Sequence, residues 1–285
     1  MTVPDGSRRL TARARLAAAA EPPAPHGVPG PFVPLAALGL LFLGLPILGL
    51  LVRAPWSDLF GILRESDALR AMRLSLECAF AATAVSLLLG VPLAWVLARA
   101  RLPGISVLRA IALLPLVLPP VASGVALFAA FGRRGLIGRY LYEWFGYTLP
   151  FTTPAVVMAQ AFVAMPFLVI TVEGALRSLD GGVEEAAATL GASRWTVVRR
   201  VTLPRLAPAI VAGTVLCWAR ALGEFGATIV FAGNNPYATR TMPILVSTGL
   251  DVSPELSNAL SLVLVAVSVA ILVSLRDRWL RTGGA

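Results

Sequence analysis

Long apolar runs alternate with short polar ones along this chain. Six of the runs, residues 32–52, 74–97, 107–131, 153–176, 206–231 and 259–275, are close to the length a helix needs to cross a bilayer, about 20 residues. They predict an all-α chain with six spans and both termini on one side. In the second run Ala82, Ser86 and Gly90 recur every fourth residue, a stripe of small side chains that lets another helix backbone approach. Pro92 predicts a kink there, and Pro166 sits near the centre of the fourth run. The third run holds Pro115, Pro119 and Pro120, whose freed carbonyls need neighbours or a water-lined path. A place inside the bundle and a simply kinked structural helix both fit that run.

One polar interruption among the helices is long, residues 184–204, EEAAATLGASRWTVVRRVTLP. Its first part, 184–190, has strong helix formers and two acids where they complement the helix dipole. Gly191 breaks the pattern. A second piece places Trp195, Val198 and Val201 on one side and Arg194, Arg199 and Arg200 elsewhere, and Pro204 is expected to stop it. Such a bent amphipathic pair either lies in lipid headgroups or serves as a handle for another protein.

Composition supports a polytopic membrane protein. Of the 285 residues 57% are hydrophobic and 14% charged, with a mean hydropathy of +0.80, far from a soluble domain. The net charge of +9 does not call for nucleic acid, because the 24 basic residues, all arginine, lie mostly in short loops between apolar runs. The loop after the second span, the region 177–205, the first 30 residues and the last ten hold fifteen of them. The opposite loops hold eight, Arg53, Arg64, Arg70, Arg73, Arg133, Arg134, Arg139 and Arg240. The larger share belongs in the cytoplasm, which puts both termini and the polar loop there. Arg133, Arg134 and Arg139 run against that rule.

Residues 1–31 carry Arg8, Arg9, Arg13 and Arg15, an alanine run and a proline-rich tract, and are expected to form a disordered cytoplasmic arm. The run after it is longer than a signal-peptide core and is read as an uncleaved span. Residues 32–280 form the expected six-span domain, with the polar loop at about 177–205, and residues 281–285 a tail. Cys78 and Cys217 lie inside apolar runs and His26 is the only histidine, so no metal site or disulfide framework can be assembled. Without lysine there is no phosphate-binding GxxxxGK[ST] loop. If ATP drives this protein, another chain binds it.

Arg220 and Glu224 stand inside the fifth run, where each charge costs about 2.5–3.5 kcal/mol. At i, i+4 they can neutralise each other as a structural pair, or they line a polar path. An intramembrane enzyme is a poor fit, since the acids at membrane depth are few (Glu77, Glu173, Glu224) and the histidine is in the arm. An anion channel or ion-driven carrier is a further alternative, separated by whether an ATPase co-purifies.

Two segments carry a resemblance. Glu185, Ala186, Ala187, Gly191, Val201, Leu203 and Pro204, at their spacing, resemble the cytoplasmic EAA signature of ABC importer permeases, with Val201 where isoleucine is usual. The run from Arg220 through Gly223, Glu224, Phe225, Gly226 and Thr228, followed by Thr239, Arg240, Thr241 and Pro243, resembles the molybdate branch of these permeases. Sulfate and thiosulfate permeases share a similar glycine, glutamate, aromatic, glycine core. The resemblance, which covers about residues 34–280, implies the type I importer architecture in a bacterial inner membrane. It implies that Glu184, Glu185, Ala186, Ala187, Gly191, Leu203 and Pro204 couple the chain to an ATPase. It also implies an assembly of two copies of this chain, two ATPase subunits on the cytoplasmic side and an extracytoplasmic molybdate-binding protein, with no cofactor and no catalytic residue here. Molybdate, and tungstate with it, is the expected cargo, and sulfate the alternative. Arg220, Gly223, Glu224, Phe225, Gly226 and Thr228 are expected along the path or at its gate. Glu224 offsets Arg220 so that the pair does not trap an anion.

Overall fold

The computed structural model describes residues 31–282, with side chains described as far as residue 273. The expected arm, apart from its last residue, and the end of the expected tail lie outside the described residues. Among the described residues all regular structure is helical. The chain divides into two compact units, Met1–Val52 and Arg53–Ala285. The first contributes α1 (Phe32–Val52), which starts and stops where its apolar run predicts and is apolar on every face with no buried residue. A helix of that kind is suited to lipid.

The second unit contains α2 (Leu59–Leu63), α3 (Ser66–Arg99), α4 (Ile105–Val117), α5 (Pro120–Phe131), α6 (Gly138–Phe145), α7 (Thr153–Ser178), α8 (Gly182–Thr189) and α9 (Arg194–Val197). A π-turn (Val198–Thr202) then leads into α10 (Leu203–Leu222), α11 (Gly226–Phe231), α12 (Met242–Gly249) and α13 (Pro254–Thr282). In the whole described chain, five helical stretches are long and apolar enough to cross a membrane: α1, α3, α7, the continuous stretch Arg194–Leu222 and the Pro254–Val273 part of α13.

α7 is the axis of this unit, packed against α3 and α10 along much of its length. The small-residue stripe has the predicted role. Ala82, Ser86 and Gly90 of α3 are all buried, and a Cβ on Gly90 would lie 3.1 Å from Met165 and 3.4 Å from Leu168 and Val169 of α7. Gly213 of α10 makes the same kind of approach, with Leu168 and Thr171 3.0 and 3.2 Å from where its Cβ would stand. In lipid, where apolar burial supplies little drive, such backbone proximity and the dispersion contacts it permits hold helices together.

Three expectations about continuity are corrected. The third span is two helices of 13 and 12 residues rather than one kinked helix. Leu118 precedes a proline and so does Pro119; both are extended (ψ 133° and 137°), the conformation that a following pyrrolidine ring favours over the helical one. The fifth span is likewise broken, with α10 ending at Leu222 and α11 beginning at Gly226. At the other end of the same span Pro204 does not stop a helix. It occupies the first turn of α10, and the π-turn just before it widens the backbone where a regular α-turn would miss a donor and meet the proline ring. The polar loop therefore runs without interruption into the fifth span.

Candidate functional site: a polar loop and a broken helix crossing

The polar loop is fastened to one end of the bundle through Glu184. Its Oε1 accepts from Arg99, the last residue of α3, at 3.1 Å and from the buried hydroxyl of Thr202 at 2.8 Å. Gly191 has φ +85°, and turns the chain between α8 and α9 in a conformation that other residues adopt only with strain. The Ser193 hydroxyl then caps α9 by accepting from Thr196 N at 3.2 Å. Glu185, Ala186 and Gly191 are exposed, as are Leu203 and Pro204, while Ala187 and Glu184 are half-buried. Leu190 at 89% and Trp195 at 70% exposure give the loop an apolar, unpartnered outer surface.

Beside it is an ion network that sequence reasoning saw only in part. Glu173 and Arg177, whose i, i+4 spacing is legible in the sequence, pair at 3.0 Å, but Arg109 of α4 reaches the same carboxylate oxygen at 2.8 Å. Both arginines also donate to Leu97 O in the last turn of α3, at 3.1 and 3.0 Å, satisfying a carbonyl that the helix end leaves free. Glu173 is thus buried with two cations, and α3, α4 and α7 are tied together at this end. Arg109 is distant from the others in sequence and nothing in the local pattern singles it out.

The second region is the crossing of the two broken spans. Glu224 lies in the non-helical link between α10 and α11 and is 1% exposed at its side chain. One carboxylate oxygen takes the Arg220 guanidinium at 2.7 Å and the other accepts Ala227 N at 2.7 Å, a free donor of the first turn of α11. Arg220 is 29% exposed at its side chain, so the pair has a cationic edge that reaches the surface and an enclosed carboxylate. Gly226 is where it is because α5 occupies the space: its Cβ would fall 2.5 Å from Pro120 Cβ. Gly124 of α5 answers it, with a Cβ position 2.7 Å from Val230 Cβ and 2.9 Å from Ala227 O. The break in the third span thus seats against the break in the fifth. Gly223 and Phe225 are exposed on the link, and Thr228 is buried with no partner for its Oγ1 among the described residues.

Ser123 of α5 and Gln160 of α7 are also buried, with polar side-chain atoms that have no partner among the described residues. Sequence reading passed over both, though a glutamine inside an apolar span was a visible signal. Beyond the other end of the crossing the segment after α11 folds on itself. Asn235 N donates to Thr239 Oγ1 at 2.8 Å, Arg240 to Asn234 Oδ1 at 2.7 Å, and Met242 N to Ser75 Oγ of α3 at 2.7 Å. Thr239 and Thr241 of the TRTxP segment are buried.

Membrane helices interrupted at buried polar groups, with irregular backbone kept inside the protein, are a feature of transport proteins. The comparisons identify which kind. Residues 68–282 match the family of binding-protein-dependent transport system inner membrane components, and the chain belongs to that family. It is similar to the molybdenum transport system permease protein ModB of Mycobacterium tuberculosis, 46% identical over 243 residues that cover 85% of this chain and 92% of that one. Similarity to the sulfate transport system permease protein CysT of Escherichia coli is 34% over 247 residues, covering 85% of this chain and 89% of the relative. In fold it is similar to the crystal structure of a bacterial ABC transporter that imports the acidic polysaccharide alginate, with a TM-score of 0.67 at 20% identity, covering 96% of this chain and 98% of that one. The protein is therefore a multi-pass inner-membrane permease component of a binding-protein-dependent transport system, with the fold seen in an ABC transporter, and a transport subunit rather than an enzyme.

Proposed function

We propose that this chain is the membrane-spanning subunit of an ATP-driven importer that carries molybdate, and tungstate with it, into the bacterial cytoplasm. One observation carries the choice of cargo. Over the same share of this chain, identity to a molybdenum permease is 46% and to a sulfate permease 34%. Two copies would form the passage, two ATPase subunits would bind on the cytoplasmic side, and an external binding protein would deliver the anion. The orientation rests on the excess of arginine at the loop end, where Arg99, Arg109, Arg177 and Arg205 meet Glu184, Glu173 and the Asp180 carbonyl. Reconstitution with the cognate ATPase and binding protein tests the cargo: labelled molybdate accumulates with ATP and persists in excess sulfate. Uptake abolished by equimolar sulfate would favour the sulfate reading.

Coupling runs through the polar loop. Its exposed Glu185 and the small residues Ala186, Ala187 and Gly191 fit a cleft on the ATPase, and Glu184 with Thr202, Leu203 and Pro204 joins the loop to α10. Because the backbone is helical from Arg194 to Leu222, a push on the loop is delivered to the fifth span as movement of a rod. Gly191→Trp is expected to abolish oxyanion-stimulated ATP hydrolysis with membrane insertion intact, whereas retained stimulation would remove the loop from the mechanism.

The crossing of α5 with α11 is the gate in this reading. Arg220 and Glu224 hold the link in one arrangement, Gly223, Phe225 and Gly226 let it flex and pack, and Thr228 offers a hydroxyl to the path. Neutralised by Glu224, Arg220 does not trap a dianion. Glu224→Gln and Arg220→Gln, made singly, are expected to uncouple transport from hydrolysis. Unchanged coupled uptake in both would remove the gate assignment.

A further inference from the structure

Arg133, Arg134 and Arg139, which count against the inside-positive rule, lie at the end of the bundle opposite α8 and α9. The turn after α5 folds back onto that helix: Leu136 N donates to Ala129 O at 3.2 Å and Ile137 N to Ala130 O at 2.8 Å. Gly138 follows so closely that a Cβ there would fall 2.0 Å from Gly132 O and 2.3 Å from Phe131 O. α6 is thereby pinned to the last turn of α5, at the depth where the apolar run ends. From Ile137 onward Tyr140, Leu141 and Trp144 recur at helical spacing. Leu136 at 76% and Trp144 and Phe145, both at 73%, stand exposed beside them. Exposed tryptophan and tyrosine at the end of a span belong to the interface between hydrocarbon and water.

The arginines complete the pattern. The Arg133 guanidinium lies over the Tyr142 ring, 3.8 Å from its centroid, and that of Arg139 over Tyr140 at 4.5 Å, so ring faces hold both cations at the level of the aromatic groups. Next to α6 is a cavity of about 550 Å³ lined by Phe128, Arg133, Arg134, Thr148, Pro150 and Phe151. Among the described residues no carboxylate pairs with Arg133 or Arg134. Two cations and a hydroxyl beside phenyl walls suit a phosphodiester that carries hydrocarbon.

We propose that this cavity and α6 form a binding site for an anionic phospholipid. Arg133, Arg134 and Thr148 receive the phosphate, Phe128 and Phe151 contact the start of the acyl region, and Trp144 and Phe145 seat α6 in the interface. A free tetrahedral oxyanion shares the charge chemistry but makes no use of the phenyl walls or of the exposed aromatic edge.

The test is lipid retention by the full chain in detergent, read by native mass spectrometry after exposure to equal amounts of phosphatidylglycerol and phosphatidylcholine. Preference for phosphatidylglycerol of at least about fivefold is expected, the worth of one arginine near an anionic surface. Arg133→Gln with Arg134→Gln brings the ratio near one, and Arg133→Lys with Arg134→Lys retains most of it. Equal retention of the two lipids by the unaltered protein, or displacement of the lipid by millimolar molybdate, overturns the proposal. A second measurement does not depend on the arginine variants folding. In vesicles of brominated phosphatidylcholine, Trp144→Phe should remove a strongly quenched part of the tryptophan emission, and emission from Trp144 that is water-like and unquenched overturns the placement of α6.

Discussion

Glu224 and Glu184 are each held by an arginine, yet the two pairs do different physical work. Glu224 is 1% exposed with each oxygen on a separate donor, whereas the Glu184 side chain is 22% exposed and shares one oxygen between Arg99 and Thr202. A buried carboxylate has no water to fall back on, so its partners are obligatory. A half-exposed one exchanges partners with solvent at little cost. The crossing is therefore held in few arrangements and the loop more loosely, as its proposed docking to another protein requires. The glycines divide in the same way. Gly226 is required by Pro120 lying against it, whereas Gly191 has nothing within 4 Å and is required by its positive φ alone.

The contrast predicts a graded series of effects. Arg220→Leu leaves the Glu224 charge buried and unpaired and should cost about 3–5 kcal/mol, read as a large fall in the thermal unfolding midpoint in detergent. Restoring much of that loss with Glu224→Gln in the same chain would confirm that the stranded charge is the cause. Gly226→Ala should cost about 1–3 kcal/mol by forcing α5 and α11 apart. Gly223→Ala, three residues earlier with only Ala219 O as near as 3.7 Å, should change stability by no more than about 0.5 kcal/mol. Equal effects of these two substitutions would mean that the crossing is not close-packed. Arg99→Ala should also cost little, under about 1 kcal/mol, since the pair it breaks is partly exposed. It should nevertheless reduce ATPase stimulation, because the loop loses an anchor. A stability loss as large as that of Arg220→Leu would break the distinction between the two regions.

Much of this protein is determined by the local order of its residues. The apolar runs set α1, α3, α7 and α13 to within a few residues at most ends, because a backbone in hydrocarbon must satisfy its own hydrogen bonds and a long apolar run leaves only the helix. The stripe of Ala82, Ser86 and Gly90, the bend at Gly191 and the Glu173–Arg177 pair are likewise local, each set by spacing or by the steric needs of one residue. The tertiary structure decided what depends on residues far apart in the chain. Prolines 119 and 120 signalled a disturbed third span, but that it breaks, and that its break seats on the break after Leu222, follows from Pro120 meeting Gly226 and Gly124 meeting Val230. The second arginine on Glu173 comes from Arg109, and the hold on Glu184 from Arg99. Pro204 continues a helix because a π-turn makes room for its ring. In each case the energy lies in contacts between segments, which a one-dimensional pattern of polar and apolar positions does not contain.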